Sequence, residues 1–549
     1  MSSPLENFLS LLLLCAIINC SMAAPGSDYD AFVKCFSAGA GDASKIVFAP
    51  QNPNFTSVLD DYARNPRFKT PQTPKPSFIV TPLTISQIQK TVVCAKKLRL
   101  LLKIRSGGHD YEGISYVSNV PFVILDLFNF RTVNVSIQDG TAWVQSGATL
   151  GELYYRIWEK SKVHGFPGGV GATVGVGGHI SGGGYGNLMR KYGLSVDHVV
   201  DAQIMDVNGR LLDRKAMGED LFWAINGGGG ASFGVVVAYK IKLVPVPPVV
   251  SVFKVSRTIE ENATDIVFRW QFIADKVDEN LFIRLLVGSA TKTGAKVESD
   301  KTVKVRFVGQ FLGNAKQLMS VMKSQFPELQ LKKEDVLEMS WIQSVLFWDN
   351  KNGSSETTLL DRKSKADNSF KRKSDYLKSP IPKQGLSGLF KLIIQLGKAG
   401  MAINAYGGQM AKIPATATPF PHRAGNIFKI QYFVNWKEPG PEADKKYVDQ
   451  TRALYRYMTP FVSKNPREAY LNYRDLDIGI SSNGKNAYNE GKVYGLKYFK
   501  DNFDRLVKVK TAVDPENFFR NEQSIPPLKS NKWELTEYDH DEDEEEWYD

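Results

Sequence analysis

The chain has 549 residues, of which 43% are hydrophobic and 23% charged, a composition typical of a globular protein with roughly two to four structural units. The net charge of +11 is unevenly placed, because Glu534–Asp549 hold ten acidic residues and no Lys or Arg. The more basic remainder could bind a polyanion such as acidic cell-wall polysaccharide, with the tail as an intramolecular competitor, but solubility is the simpler interpretation. Lacking a basic helical stripe, the chain is not expected to bind nucleic acid.

The first 23 residues have the pattern of a secretory signal peptide. The apolar stretch Phe8–Ile18 is too short to span a bilayer, and small residues precede a cleavage point after Ala23. The Lys or Arg that usually precedes such a stretch is missing, so a buried N-terminal helix is the alternative. No later segment has the pattern of a membrane span. We expect a monomeric mature chain, secreted to the cell wall or delivered to a vacuole.

Cleavage of the signal would remove Cys15 and Cys20 and leave Cys35 and Cys94. In an oxidising compartment this remaining pair predicts a disulfide. The same route would present four Asn-X-Ser/Thr sequons for glycosylation, at Asn54, Asn134, Asn262 and Asn352.

The first half of the mature chain combines predicted strands and helices. An amphipathic helix with a serine cap is predicted over Ser86–Leu98, and Val199–Gly209 predicts a strand that ends in an Asn-Gly turn. The proline-rich segment Val244–Pro248 marks a boundary. Further strands are predicted at Phe78–Pro82, Val123–Leu127 and Ala142–Ser146.

Beyond that boundary, long alternating segments predict a sheet with helices on one face. Its predicted strands include Leu281–Leu286, Val303–Phe311 and Lys429–Trp436. The chain closes with a predicted helix at Tyr488–Lys500 and with Asp514–Ser524, whose aromatic pair suggests docking on an earlier domain. The whole pattern predicts an α+β fold.

His109 lies in the glycine-rich run Arg-Ser-Gly-Gly-His-Asp-Tyr-Glu-Gly at 105–113, and a longer glycine-rich tract covers 165–186. Glycines expose backbone and let a large planar group approach, so two such loops suggest backbone amides that cradle a diphosphate. Together they suggest a flavin held covalently by His109. The cradle candidates, for which ordinary turn formation is the alternative, are Gly107, Gly108, Gly177, Gly178, Ser181 and Gly182.

Four ordered signatures run through the chain. They are the run at 105–113, Gly-Gly-His-Ile-Ser-Gly-Gly-Gly-Tyr-Gly at 177–186, Asn-Pro-Arg-Glu-Ala-Tyr-Leu-Asn-Tyr-Arg-Asp-Leu-Asp at 465–477, and Asn-Phe-Phe-Arg-Asn-Glu-Gln-Ser-Ile-Pro-Pro at 517–527. From about Asp28 to Leu528 the chain resembles the plant berberine bridge enzyme-like oxidoreductases of the vanillyl-alcohol oxidase group. The resemblance implies a PCMH-type FAD-binding domain in two parts, 24–248 and 480–530, an inserted α+β substrate domain of antiparallel sheet and helices at 249–479, and an acidic tail at 531–549.

The resemblance also implies how FAD is held. His109 matches the histidine bonded to the flavin 8α carbon, whereas Gly171 stands where many members carry a cysteine bonded to C6, so we predict a single covalent link. Val174 matches a position near flavin C4a, where valine is expected of an oxidase that passes electrons to O2 and forms H2O2; plain packing is the alternative. The other implied cofactor contacts are Arg105, Ser106, Thr173 and Tyr185.

Hydride transfer from an alcohol needs a base near the substrate hydroxyl. Tyr473, Tyr185, Lys429 and Gln431 match positions that line this pocket in related enzymes. Because the ordinary pKa of tyrosine is about 10, Tyr473 can act as the base only if a cation such as Lys429 lowers its pKa; a strand aromatic is the alternative. Arg284 is expected either to orient an anionic or phenolic substrate or to form a structural ion pair. His179 is left outside catalysis, and no metal site is predicted.

These residues lead to three hypotheses about function. The first is a secreted FAD-linked oxidase that acts on a hydroxyl or activated C–H of a carbohydrate or plant phenolic. The second is a flavin-containing cyclase of specialised metabolism without net redox change, which would form product without oxygen uptake. The third is a non-catalytic basic cell-wall protein with a vestigial flavin site, which would be colourless.

Overall fold

The structure is a computed structural model that describes residues 25–297, 300–363, 368–481 and 488–528. The predicted signal peptide and the acidic tail lie outside the described residues. Within these ranges no helix has the length and apolar character needed to cross a membrane.

Helices and strands alternate along the described ranges. The α-helices are α1 Pro25–Ala40, α2 Phe55–Asp60, α3 Ile85–Lys97, α4 Leu150–Lys160, α5 Val176–Ser181, α6 Met189–Tyr192, α7 Arg214–Ile225, α8 Ala263–Trp270, α9 Ala315–Gln325, α10 Trp341–Trp348, α11 Lys383–Leu396, α12 Gln409–Lys412, α13 Pro441–Tyr457, α14 Tyr488–Phe499 and α15 Asn502–Val513. The strands are β1 Val47–Phe48, β2 Ile79–Val80, β3 Leu101–Arg105, β4 Phe122–Asp126, β5 Val133–Ser136, β6 Thr141–Gln145, β7 His164–Gly165, β8 Val199–Met205, β9 Leu211–Leu212, β10 Val235–Lys242, β11 Val244–Pro245, β12 Val250–Thr258, β13 Leu281–Thr291, β14 Lys301–Phe311, β15 Val336–Met339, β16 Ser369–Leu377, β17 Gly400–Ala405 and β18 Phe428–Trp436.

The strands form three main sheets. The first has the order β1-β2-β4-β3, in which β2, β4 and β3 run parallel, and the second is antiparallel with the order β5-β6-β10-β8-β9. The third is a seven-stranded antiparallel sheet with the order β15-β12-β14-β13-β17-β18-β16. The predicted α+β fold is confirmed.

Helix α3 confirms the predicted amphipathic helix but not its cap. The Gln87 backbone N–H donates to Thr84 Oγ1 at 3.3 Å, and the Thr84 N–H donates to the Gln87 side chain, so Thr84 forms a capping box. The predicted serine cap was wrong because Ser86 already lies within the first turn. Cys94 of this helix forms the predicted disulfide with Cys35 of α1.

The seven-stranded sheet has one face against helices and one face toward a cavity. On β13 the side chains of Leu281, Ile283, Leu285 and Val287 enter a core that also contains residues of α8 and α11. Arg284 and Leu286, which alternate with them, line the cavity. This period of two is what a sheet with two different faces requires, and it confirms the prediction of helices on one face.

The C-terminal segment docks on the N-terminal half, as its aromatic pair predicted. Phe518 and Phe519 are fully buried in a core with residues of α1, α3, β4 and β10. The buried ammonium of Lys510 on α15 donates to the carbonyls of Ser232 and Phe519 and to the Asp514 carboxylate, at 2.6–2.7 Å. Ser232 of the N-terminal half and Asn521 of this segment both line the cavity, so distant parts of the sequence build it together.

Candidate active site

A cavity of about 590 Å³ lies between the glycine-rich loops and the open face of the seven-stranded sheet. This volume is in the range of cofactor and ligand sites. A more open surface cleft of about 700 Å³ lies beside Lys96, Lys97 and Arg99, but it has no buried polar side chain in its lining. The predicted site residues that line the cavity are Ser106, Gly107, Gly108, His109, Gly171, Val174, Gly177, Gly178, Ser181, Gly182, Tyr185, Arg284, Gln431 and Tyr473.

The two glycine-rich loops touch each other through their backbones. A Cβ on Gly107 would lie 2.4 Å from the backbone nitrogen of Gly175, and one on Gly108, which has φ of +66°, would lie 1.6 Å from the carbonyl oxygen of Tyr62. Both glycines are therefore required by loop packing. Gly178 differs, since a Cβ there would have no neighbour within 4 Å. It faces open cavity, as a cradle for a bound group would.

His109 has its Nε2 within 3.0 Å of the Thr173 hydroxyl. Burial, reinforced by the charge of Arg64, lowers the pKa of His109 to about 3, so the imidazole is neutral near pH 7. Because Nε2 is engaged by Thr173, Nδ1 is the nitrogen available for a bond to a cofactor. Thr173 itself does not line the cavity and acts through His109.

His179 and Gly171 lie in the second glycine-rich tract, and both line the cavity. The Gly169 N–H donates to His179 Nε2 at 3.1 Å, and burial lowers the pKa of His179 to about 3, which fits a structural histidine. A Cβ on Gly171 would meet only Val174 within 4 Å. Because that contact would be 3.2 Å, a side chain at 171 would fit if Val174 shifted slightly.

Arg105 does not line the cavity. Its guanidinium is fully buried, pairs with Asp126 at 2.7 Å and donates to the carbonyls of Val58 and Leu59. The expected cofactor contact is corrected to a structural ion pair, which anchors the end of β3 where the His109 loop begins.

A cluster of tyrosines lines the cavity near Gln431 of strand β18. The hydroxyls of Tyr185 and Tyr473 are hydrogen-bonded to each other, and Tyr111 stacks on Tyr473 with ring centroids 5.6 Å apart. Gln431 Nε2 donates to the Tyr111 hydroxyl at 3.0 Å. Tyr111 was missed by sequence reasoning, although it lies two residues after His109 within the same signature.

Lys429 lies behind these rings and does not line the cavity. Its Nζ is 3.1 Å from the ring centroid of Tyr185, 3.8 Å from that of Tyr470 and 4.7 Å from that of Tyr473. Burial, together with the charge of Arg284, lowers the pKa of Lys429 well below its ordinary value. The ring faces act in the opposite direction, because their quadrupoles favour the ammonium form.

The expected lowering of the Tyr473 pKa by Lys429 is corrected. Burial raises the pKa of Tyr473 well above 10, neighbouring Tyr185 and Tyr111 raise it further, and Arg284 is the cation that opposes this rise. Lys429 contacts the face of the ring rather than its oxygen. In the absence of substrate Tyr473 is therefore a neutral phenol.

Two guanidinium groups face the cavity without a carboxylate partner among the described residues. Arg284 Nε donates to Asn404 Oδ1 at 2.7 Å, so of the two expectations for Arg284 the structural ion pair is not found in the described part of the chain. Arg372, missed by sequence reasoning, donates to the Val434 carbonyl at 2.7 Å and the Asn435 side chain at 2.6 Å. Burial lowers the pKa of Arg372 to about 10, so it stays charged near neutral pH.

Comparisons with known proteins find two family models and a similar full-length relative. A family model described as "FAD binding domain" matches residues 76–214, and one described as "Berberine and berberine like" matches residues 469–526. Berberine bridge enzyme-like 21 of Arabidopsis thaliana is 56% identical over 519 residues, which cover 93% of this chain and 95% of the relative.

Solved structures of a grass pollen protein are also similar. Phl p 4, described as a grass pollen allergen with glucose dehydrogenase activity, has a TM-score of 0.85 and 43% identity, covering 90% of this chain and 99% of its own. An isoleucine-to-valine variant of Phl p 4, described as a glucose oxidase, has the same TM-score and identity over 91% of this chain and 99% of its own.

Proposed function

Because the chain belongs to the berberine bridge enzyme-like family of FAD-dependent oxidoreductases, we propose that it oxidises a hydroxyl group of a carbohydrate or phenolic substrate and passes the electrons to O2, which gives H2O2. The observation that carries this proposal is the tyrosine cluster beside His109 in one cavity. The disulfide and the exposed side chains of the four sequon asparagines support passage through the secretory pathway.

The cavity fits FAD because it joins backbone glycine loops, a neutral histidine and a tyrosine cluster in one space. When bound, FAD supplies the hydride acceptor of the reaction. His109 would hold it through Nδ1, while Ser106 and the loop around Gly178 would contact the rest of the group. These residues hold and orient the cofactor and take no proton.

The ionised form of Tyr473, which is a small fraction at neutral pH because burial raises its pKa, is the species proposed to take the proton from the substrate hydroxyl. Loss of that proton makes hydride departure easier, since negative charge develops on the substrate oxygen. When Tyr473 is ionised, the hydroxyl of Tyr185 can donate to its phenolate oxygen, which becomes neutral as it takes the proton. The Nζ of Lys429 packs against the ring faces of Tyr185 and Tyr473 and does not line the cavity, so we propose Lys429 as a positioning residue.

We further propose that the substrate carries an anionic group. Arg284 and Arg372 are charged, face the cavity and have no carboxylate partner in the part of the chain that the structure describes. Partly buried guanidinium groups without a carboxylate partner are costly, and a substrate carboxylate or phenolate would reduce that cost. This argument favours sugar acids and phenolic acids over neutral sugars.

Anaerobic mixing of the purified yellow protein with a substrate panel tests the proposed function. The panel pairs neutral sugars with the corresponding sugar acids, and phenolics with and without a carboxylate, while the flavin absorbance is followed. We expect bleaching, faster with the acids, and loss of this preference in Arg372→Gln. No bleaching by any member would contradict the oxidation, and equal rates for acids and neutral analogues would contradict the anionic preference alone.

Replacement of Val174 by leucine is expected to slow reoxidation by air. Val174 lines the cavity next to Gly171, and in Phl p 4 an isoleucine-to-valine exchange separates a glucose dehydrogenase from a glucose oxidase. A larger side chain would block O2 and reduce the reoxidation rate roughly tenfold, about 1.4 kcal/mol of activation free energy. Stopped-flow measurement should find the anaerobic reduction rate unchanged. Equal loss of both rates would indicate simple packing damage.

A further inference from the structure

A cluster of buried charges lies behind the cavity and takes no part in its lining. Lys371 on β16 pairs with Glu112 and, at 2.8 Å, with Asp475. All three side chains are 3% exposed. Lys373, two residues along the strand, pairs with the same Asp475 and with Asp477 at 2.9 Å.

The position of this cluster in the chain connects it to the proposed catalytic groups. Glu112 directly follows Tyr111 and is three residues from His109, while Asp475 is two residues from Tyr473. The ammonium of Lys371 thus joins the two loops whose tyrosines stack on each other. A second link supports the first loop, because Asn65 Nδ2 donates to the carbonyls of Tyr111 and Phe370 at 3.1 and 3.0 Å.

Fold stability alone does not require such a cluster. Removing charges from water is costly, and apolar residues of similar volume often stabilise a fold as well as a buried ion pair does. An apolar residue, however, cannot attract two carboxylates at the same time, as an ammonium group can. Glu112 also pairs with Arg67 and Asp475 with Lys373, but Lys371 is the cation that contacts both carboxylates and so draws them together. Although burial opposes the charge, Asp475 and Glu112 raise the pKa of Lys371.

We propose that Lys371 is a positioning residue whose ammonium holds the His109–Glu112 loop against the Tyr473–Asp475 loop and thereby keeps Tyr111 stacked on Tyr473. This inference rests on the proposed function, since the stacked pair forms the wall on which the substrate would be oxidised. It concerns the rate of flavin reduction rather than the attachment of the cofactor.

Lys371→Met is the test variant and Lys373→Met its matched control. Both lysines are buried on the same strand and contact Asp475, but of the two it is Lys371 that pairs with Glu112. We expect both variants to lose similar thermal stability. Anaerobic flavin reduction should fall about tenfold or more in Lys371→Met and less than about threefold in Lys373→Met, because small displacements of reacting groups have large kinetic costs.

Two further measurements keep the test decisive. Glu112→Gln keeps the size of the side chain, and its effect on the rate should be non-additive with that of Lys371→Met, as expected for contacting residues. Crystal structures of the wild-type protein and of Lys371→Met should show that the Tyr111–Tyr473 centroid distance is larger than 5.6 Å in the variant. This distance can be read even if no substrate of the panel reduces the wild-type flavin, so failure of the proposed function would be recognised separately. Unchanged stacking, or equal slowing by both lysine variants, would overturn the proposal.

Discussion

Acid precipitation of wild-type protein should leave the yellow colour in the pellet, whereas precipitation of His109→Ala should release it to the supernatant. Only a covalent bond survives unfolding, and His109 is the residue with the geometry for it. Its Nε2 is engaged by Thr173, its imidazole is neutral, and it lines the cavity. Neither Cys35 nor Cys94 can replace it, because they are bonded to each other.

The control for this experiment is His179→Asn. His179 is the other histidine that lines the cavity within the described residues, but its Nε2 accepts from the Gly169 N–H. We expect its pellet to stay yellow, even if some protein stability is lost. Colour in the wild-type supernatant would contradict the covalent link, and colour retained by His109→Ala would mean that another residue forms the bond. In both cases the assignment of the residues around the ring would need revision.

The strands and the glycine loops were predictable because each rests on a local property of the chain. The alternation of β13 reflects one face against helices and one against the cavity, and this period is visible in Leu281–Leu286 itself. The N-cap of α3 was harder to predict, because Thr84 and Ser86 are both residue types that are favoured at N-caps. Only the backbone geometry at Thr84 distinguishes them.

Several residues of the site could be predicted from the sequence, but the contacts between them could not. Lys429 and Tyr473 were identified, yet the sequence could not show that the ammonium lies over the ring instead of beside its oxygen. Arg372 was missed because an arginine between two lysines on an edge strand has no sequence pattern of its own. Its place in the cavity follows from the pairing of β16 with β18, a contact between residues about sixty positions apart.

Replacement of Tyr473 by phenylalanine should slow anaerobic flavin reduction by about 10²–10⁴-fold, the usual contribution of a positioned general base. Because burial raises the pKa of Tyr473, its ionised form is a small fraction at neutral pH. The wild-type rate should therefore rise with pH, approaching tenfold per unit on the acidic limb, since each unit multiplies that fraction tenfold. Tyr473→Phe should lose this slope, and stopped-flow rates across a pH series measure both effects.

Tyr470→Phe is the matched control for this result. Tyr470 packs on Tyr473 with ring centroids 5.0 Å apart, but its hydroxyl accepts hydrogen bonds from the Gly184 N–H and from Asn472 Nδ2. Its loss should cost about 1 kcal/mol of stability, because hydrogen bonds of this kind contribute that much, and should leave the pH slope intact. If Tyr473→Phe kept the slope, the proton would have to go elsewhere.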